Sequence, residues 1–189
     1  MKLNTPNILT LARIIITPFF LWSILSDTLP HRFLIACIVF SIGAITDAVD
    51  GHLARKNNQI TNFGKFLDPI ADKVLTTSAL LAFMSMGLCN IWIVMLMITR
   101  EFAVTSVRLI AAAQGVVIPA NIGGKIKTVF QMVASMLGLL AMALFAMGVM
   151  GAETYAWMSL VTNVLMWIMA VLTVVSGMQY IMPNIDLIK

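Results

Sequence analysis

Four aspartates stand at positions 47, 50, 68 and 72 of a 189-residue chain, half of its eight acidic residues. All four fall within the stretch TDAVDGHLARKNNQITNFGKFLDPIADK, residues 46–73. Asp47 and Asp50 are three apart, Asp68 and Asp72 four apart, so on helices each pair shares a face. The polar segment from Lys56 to Lys65 can fold the chain back, so that the second helix of the pair lies beside the first and the four carboxylates converge. Ionised carboxylates in apolar surroundings are costly unless something pairs with them. A divalent cation removes that cost, and ligation by oxygen alone favours a hard ion, Mg²⁺ or Mn²⁺. Four carboxylates can bridge two such ions about 3.5–4 Å apart, an arrangement that serves in-line displacement at phosphorus. A blander arrangement stays open at this point: helix ends salt-bridged to Lys56, Lys65 and Lys73.

The neighbours of the aspartates suit a bulky, anionic ligand. Gly51 lies beside Asp50, and Gly64 stands one turn before Asp68. A helical glycine costs up to about 1 kcal/mol relative to alanine; with Ala54, these two clear space for a group to approach the backbone. Arg55 can neutralise a phosphate. Further along, the segment ITREFAVTSVRLIAA sets Arg100, Glu101 and Arg108 in an otherwise apolar helix, and NIGGKIKTVFQ sets Lys125 and Lys127 at the start of the next. Charges at such depth usually face a cavity, and a helix N-terminus with lysines is a ready anion site. Arg100, Arg108 and the lysine pair Lys125 and Lys127 therefore read as candidate partners of a phosphate on a second substrate. The competing readings are a simple Glu101–Arg108 pair and lysines that only anchor the helix at a membrane surface.

The elements that must position these residues are apolar helices. Hydrophobic residues make up 60% of the chain and charged residues 11%, with a mean hydropathy of +0.97, outside the range of soluble domains. Hydropathy and turn residues predict one all-α bundle over residues 1–189 with six transmembrane helices, near Leu9–Leu25, Phe33–Arg55, Asp68–Leu88, Ile91–Ala113, Lys127–Met150 and Tyr155–Tyr180. With six spans the termini share a side with the loops after spans two and four. Of the 12 Lys and Arg residues, only Arg32 falls in a loop on the other side, and Arg100 lies inside span four. The positive-inside rule then makes both termini cytoplasmic. The net charge of +4 is a topology signal, with attraction to anionic headgroups second, and needs no nucleic acid. Arg13 and Pro18 interrupt the first span, which has no evident cleavage site. Cys37 and Cys89 read as small hydrophobes, the 15 methionines as filler, and His31 and His52 are too far apart to suggest a metal site.

Written out, the aspartate segment is Asp47-x₂-Asp50-Gly51-x₂-Ala54-Arg55-x₈-Gly64-x₃-Asp68-x₃-Asp72. It resembles, without a departure, the signature of the CDP-alcohol phosphotransferase family, and the resemblance covers nearly the whole chain. It implies a six-span fold and displacement of CMP from a CDP-alcohol by the hydroxyl of a second alcohol. It further implies two divalent ions on Asp47, Asp50, Asp68 and Asp72, with Asp72 also the general base. Asp50, Gly51, Ala54, Arg55, Gly64 and Asp68 would surround the CDP moiety. TRE (Thr99 to Glu101), GKIKT (Gly124 to Thr128) and NTPNILTLAR (Asn4 to Arg13) are similar to the bacterial branch that transfers to sn-glycerol 3-phosphate. That branch implies Arg100, Arg108 and Lys125 at the acceptor phosphate and Asn7 and Arg13 near the donor. CDP-diacylglycerol, sn-glycerol 3-phosphate, the lipid bilayer of a bacterial cytoplasmic membrane and a homodimer are the expected partners. Transfer to inositol phosphate, serine or phosphatidylglycerol is the nearest rival. A divalent-metal transporter is the rival of another class, and it has no use for Gly51, Ala54, Arg55 and Gly64.

Overall fold

The computed structural model describes the backbone of residues 5–56, 62–116, 118 and 122–187, and their side chains apart from 5–7, 9, 47–56, 62–69, 72, 125, 186 and 187. Among the described residues all regular structure is helical. Six long helices follow one another: α1 (Thr5–Leu25), α2 (Arg32–Lys56), α3 (Asn62–Ser85), α4 (Ile91–Ala113), α5 (Ile122–Ala146) and α6 (Ala152–Ile181). A short 3₁₀ helix, Met182–Leu187, closes the chain. Each long helix overlaps one predicted segment. The larger differences are at the starts of α1, α3 and α5, where polar residues continue a helix that hydropathy alone cuts short.

The helix stops follow from local chemistry. Gly87 and Gly148 adopt φ of 74° and 71°, the left-handed conformation that glycine enters without a Cβ penalty. Behind each, the next residue bonds back to the last turn, Leu88 N–H to the Phe83 carbonyl at 2.9 Å and Val149 N–H to Leu144 at 3.1 Å. These are Schellman closures. Asn90 then starts α4, its side-chain oxygen accepting the Trp92 N–H at 3.0 Å, as an N-cap asparagine does.

Two helical segments, Ile122–Ala146 and Ala152–Ile185, are long and apolar enough to cross a membrane by length and composition. Shorter apolar runs occupy α1, α2 and α3, at Thr10–Leu25, Arg32–Thr46 and Lys73–Ser85. The outer surface is strongly apolar: Ile15, Phe102, Leu109, Val149 and Trp157 are all more than 60% exposed. Patches of this kind are uncommon on a monomer in water.

Inside, α1 is the post around which the first half assembles, packed against both α2 and α3. Its inner stripe, Thr10, Arg13, Thr17, Phe20 and Ile24, is fully or almost fully buried, polar toward the N-terminus and apolar toward the C-terminus. The stripe repeats at three and four residues, the spacing of one helix face. In the second half α5 packs on α6 and on α2, and α4 on α6. Small residues allow close approach there, as in membrane bundles generally: a Cβ on Gly138 would lie 3.1 Å from the Thr162 methyl. The core joins both halves through Phe20, Phe40, Leu75, Phe83, Ile93, Leu139, Met166 and Met169.

The expectation that the third helix lies beside the second concerns aspartate-bearing turns whose side chains lie outside the described residues. Among the described residues α2 and α3 both pack on α1. They do meet at one point. A Cβ on Gly43 of α2 would stand 2.7 Å from Leu75 Cδ2 of α3, so the absent side chain is what admits Leu75, itself 2% exposed.

Candidate active site

Asp47, Asp50, Gly51, Ala54 and Arg55 occupy the last turns of α2, and Gly64, Asp68 and Asp72 the first half of α3. Asn7 is on the first turn of α1 and Lys125 on the first turn of α5. The side chains of these ten lie outside the described residues, so their placement rests on helix position. Gly43 is four residues before Asp47 and seven before Asp50; Leu75 is three after Asp72 and seven after Asp68. Three, four and seven residues are the repeat of a single helical face. The point at which α2 and α3 meet therefore lies on the stripe that carries both aspartate pairs.

Lys73, next to Asp72 in sequence, is described. Its ammonium donates to the Thr105 hydroxyl on α4 and lies 3.5 Å from the Glu101 carbonyl oxygen and 4.0 Å from Glu101 Oε2. Glu101 is the centre of a cluster of cations. Its Oε1 accepts from Lys127 Nζ of α5 at 2.7 Å and from Arg100 Nη1 at 3.0 Å. Lys127 is buried, its side chain 6% exposed, and so serves this ion pair and not the membrane surface. Removing one partner of such a pair leaves the other charge stranded in low dielectric, a loss of about 3–5 kcal/mol.

Arg100 is built into the packing of three helices. Its Nη2 donates to Ser176 of α6 at 3.3 Å, and its stem runs over Gly177, where a Cβ would come within 3.0 Å of Arg100 Cγ. Gly124 of α5 clears the other side, a Cβ there lying 3.4 Å from Nη2. Glycine at both positions is what makes room for a guanidinium between helices.

Arg108, two turns further on, is exposed. Its Nε donates to the Tyr180 hydroxyl of α6 at 3.0 Å, and its guanidinium carbon lies 5.3 Å from the centre of the Tyr180 ring. The possible Glu101–Arg108 pair is thus replaced by two separate arrangements, Glu101 with Lys127 and Arg100, and Arg108 with Tyr180. Arg13 is 1% exposed within α1, and its carbonyl accepts the Thr17 hydroxyl at 2.9 Å.

These contacts join the middle of α3, the middle and second half of α4, the start of α5 and the end of α6. A cavity of about 350 Å³ opens between α3 and α4, lined by Lys73, Val74, Thr77, Ser78, Ile98, Glu101 and Phe102. It starts one residue beyond Asp72. Tyr180 and Ser176 are the residues that hydropathy and charge could not single out; their signal in the sequence is only that they are polar, four apart and set late in an apolar helix.

Comparison with known proteins adds a second line of information. The family profile described as CDP-alcohol phosphatidyltransferase matches residues 3–175. A CDP-diacylglycerol–glycerol-3-phosphate 3-phosphatidyltransferase of Bacillus subtilis is 40% identical, across 98% of this chain and 97% of the relative. A probable phosphatidylglycerophosphate synthase of Mycobacterium tuberculosis is 38% identical, across 94% of this chain and 80% of its own length. A CDP-diacylglycerol–glycerol-3-phosphate 3-phosphatidyltransferase of Rickettsia bellii is 33% identical, across 94% and 93%.

Proposed function

The chain belongs to the CDP-alcohol phosphatidyltransferase family, and from that premise we propose that it makes phosphatidylglycerophosphate and CMP from CDP-diacylglycerol and sn-glycerol 3-phosphate. It is a transferase of phospholipid synthesis. The observation that carries the site is the Gly43–Leu75 contact, because the stripe on which the two helices meet is the stripe of all four aspartates.

On this reading Asp47, Asp50, Asp68 and Asp72 would hold two Mg²⁺ or Mn²⁺ ions. The donor set fits: oxygen ligands only, two pairs, at helical spacing. When bound, the ions supply charge stabilisation for the diphosphate as it separates. Gly51, Ala54 and Gly64 leave room for the CDP moiety, Asp50 and Asp68 border it, and Arg55 offers a positive charge to the leaving CMP. Asn7 and Arg13 on α1 belong to the donor side. Asp72 takes the proton of the attacking hydroxyl, for which a carboxylate within hydrogen-bond reach is required. Arg100, Arg108 and Lys125 receive the acceptor's phosphate. Arg108 favours this reading most: it is exposed, and among the described residues its only hydrogen bond uses Nε.

We further propose that all six helices span the cytoplasmic membrane with the aspartate end and both termini inside, so that acyl chains stay in lipid while the headgroup meets the ions. The apolar exterior and the positive charges at that end support this orientation. A homodimer is the expected assembly. The test is CMP release by the purified chain from CDP-diacylglycerol with a panel of acceptors. Release should require sn-glycerol 3-phosphate, stop with excess chelator and return with Mg²⁺ or Mn²⁺. Equal release with serine, or full activity in chelator, would overturn the acceptor or the metal assignment respectively.

A further inference from the structure

Tyr180 stands outside every segment that bears the site motifs, yet it touches the one exposed arginine among the acceptor candidates. We infer that Tyr180 is a positioning residue for Arg108, fixing its guanidinium so that the two Nη groups face the phosphate of the acceptor. The inference rests on the reading of Arg108 as an acceptor-phosphate ligand.

Three observations carry it. The phenol oxygen accepts from Nε at 3.0 Å, which ties down the inner edge of the guanidinium. The ring lies 5.3 Å from the guanidinium carbon, within the range at which an aromatic face attracts a cation. Held at one edge and from the ring, the plane loses its freedom to rotate, while the opposite edge keeps two parallel N–H groups. That edge is the geometry for bidentate capture of a phosphate, which arginine performs better than lysine.

Tyr180 is itself held by packing. It is 4% exposed and packs against Val104 and Val107 of α4, with Ile118 and Ile181 around them. Its carbonyl accepts the Asn184 side-chain amide at 2.7 Å, a bond that pins the end of α6 to the 3₁₀ turn. Pro183, lacking an N–H, cannot prolong the α-helical ladder there. A flexible arginine on α4 thus gains its orientation from a rigid phenol on α6.

The experiment is steady-state kinetics on the purified full chain with Tyr180→Phe, Arg108→Ala, Arg108→Lys and the double variant Arg108→Lys/Tyr180→Phe. Tyr180→Phe keeps the ring and its packing and removes only the acceptor oxygen. It should raise KM for sn-glycerol 3-phosphate about three- to tenfold, the worth of one ordinary hydrogen bond. Turnover and KM for CDP-diacylglycerol should change less than about twofold. In the Arg108→Lys background, where no Nε exists, the tyrosine change should add nothing. The inference is overturned if Arg108→Ala raises the acceptor KM and Tyr180→Phe does not. It is equally overturned if Tyr180→Phe lowers turnover and thermal stability together without a selective KM effect, or acts undiminished in the Arg108→Lys background. If Arg108→Ala itself leaves the acceptor KM unchanged, the reading of Arg108 fails first, and the role of Tyr180 falls with it.

Discussion

At the scale of single residues, the charges divide into those that build the bundle and those left for substrates. Glu101, Lys127 and Arg100 belong to the first group, since their hydrogen bonds and packing join α4, α5 and α6. On the proposed mechanism Arg100 would serve both roles, since a guanidinium has five N–H donors and packing uses only some of them. Asp72 belongs to the second group on the proposed mechanism. Asp72→Asn should lower turnover by about 10²–10⁴, as removal of a general base does, while binding of CDP-diacylglycerol, measured directly, stays within a few fold. Turnover near the unmodified level in a folded variant would remove Asp72 from that role. Lys73, its neighbour, offers an internal contrast. Its contacts run to Thr105 and Glu101, so its loss should be felt first in the packing of α3 against α4.

At the scale of helices, the Gly43–Leu75 contact is a close joint between α2 and α3 among the described residues. Gly43→Ala requires the Leu75 methyl to shift within a site where it is almost fully buried, an overpacking cost of about 1–3 kcal/mol. The expected result is a lower thermal midpoint and reduced activity, with Leu75→Ala in the same chain restoring part of both. Gly43→Val with unchanged activity and stability would show that the joint does not set the spacing of the aspartates. The six helices were legible in the sequence because apolar length, glycine stops and Asn90 are local signals. The polar first turns of α1, α3 and α5 were not, since helix continues there without hydropathy. The aspartate spacing was legible too. That α2 and α3 both rest on α1 was not, because a chain reversal says which helices are joined and not which faces they bury. Charge and spacing alone could not separate Lys127 from Lys125: burial of the first against Glu101 is a tertiary fact.

At the scale of the whole molecule, the alternation of six helices gives two ends with different chemistry. One holds Asp27 and Arg32, paired to each other between α1 and α2, with the turn at Cys89 and Asn90 on the same side. The other holds the lysine and arginine clusters. In the proposed orientation a cysteine at Thr28 should be labelled by an impermeant maleimide on intact cells, and one at Asn184 only after permeabilisation. The native thiols interfere little. Both are buried, and burial pushes the Cys89 thiol up to about 11, so near pH 7.5 it holds far less thiolate than an ordinary cysteine. Labelling in the reverse order would invert the molecule and put the aspartates outside.

The partition of contacts also bears on synthesis. α1 precedes α2 and α3, which pack against it, so on the proposed reading the donor half can assemble as it is made. The acceptor half cannot. Arg100 waits for Ser176 and Arg108 for Tyr180, partners 76 and 72 residues later. On the proposed reading, a nascent chain with its first three helices made would carry the metal-binding aspartates well before it could orient an acceptor. Until α6 is made, Arg100 and Arg108 lack the α6 partners that hold them in the finished bundle.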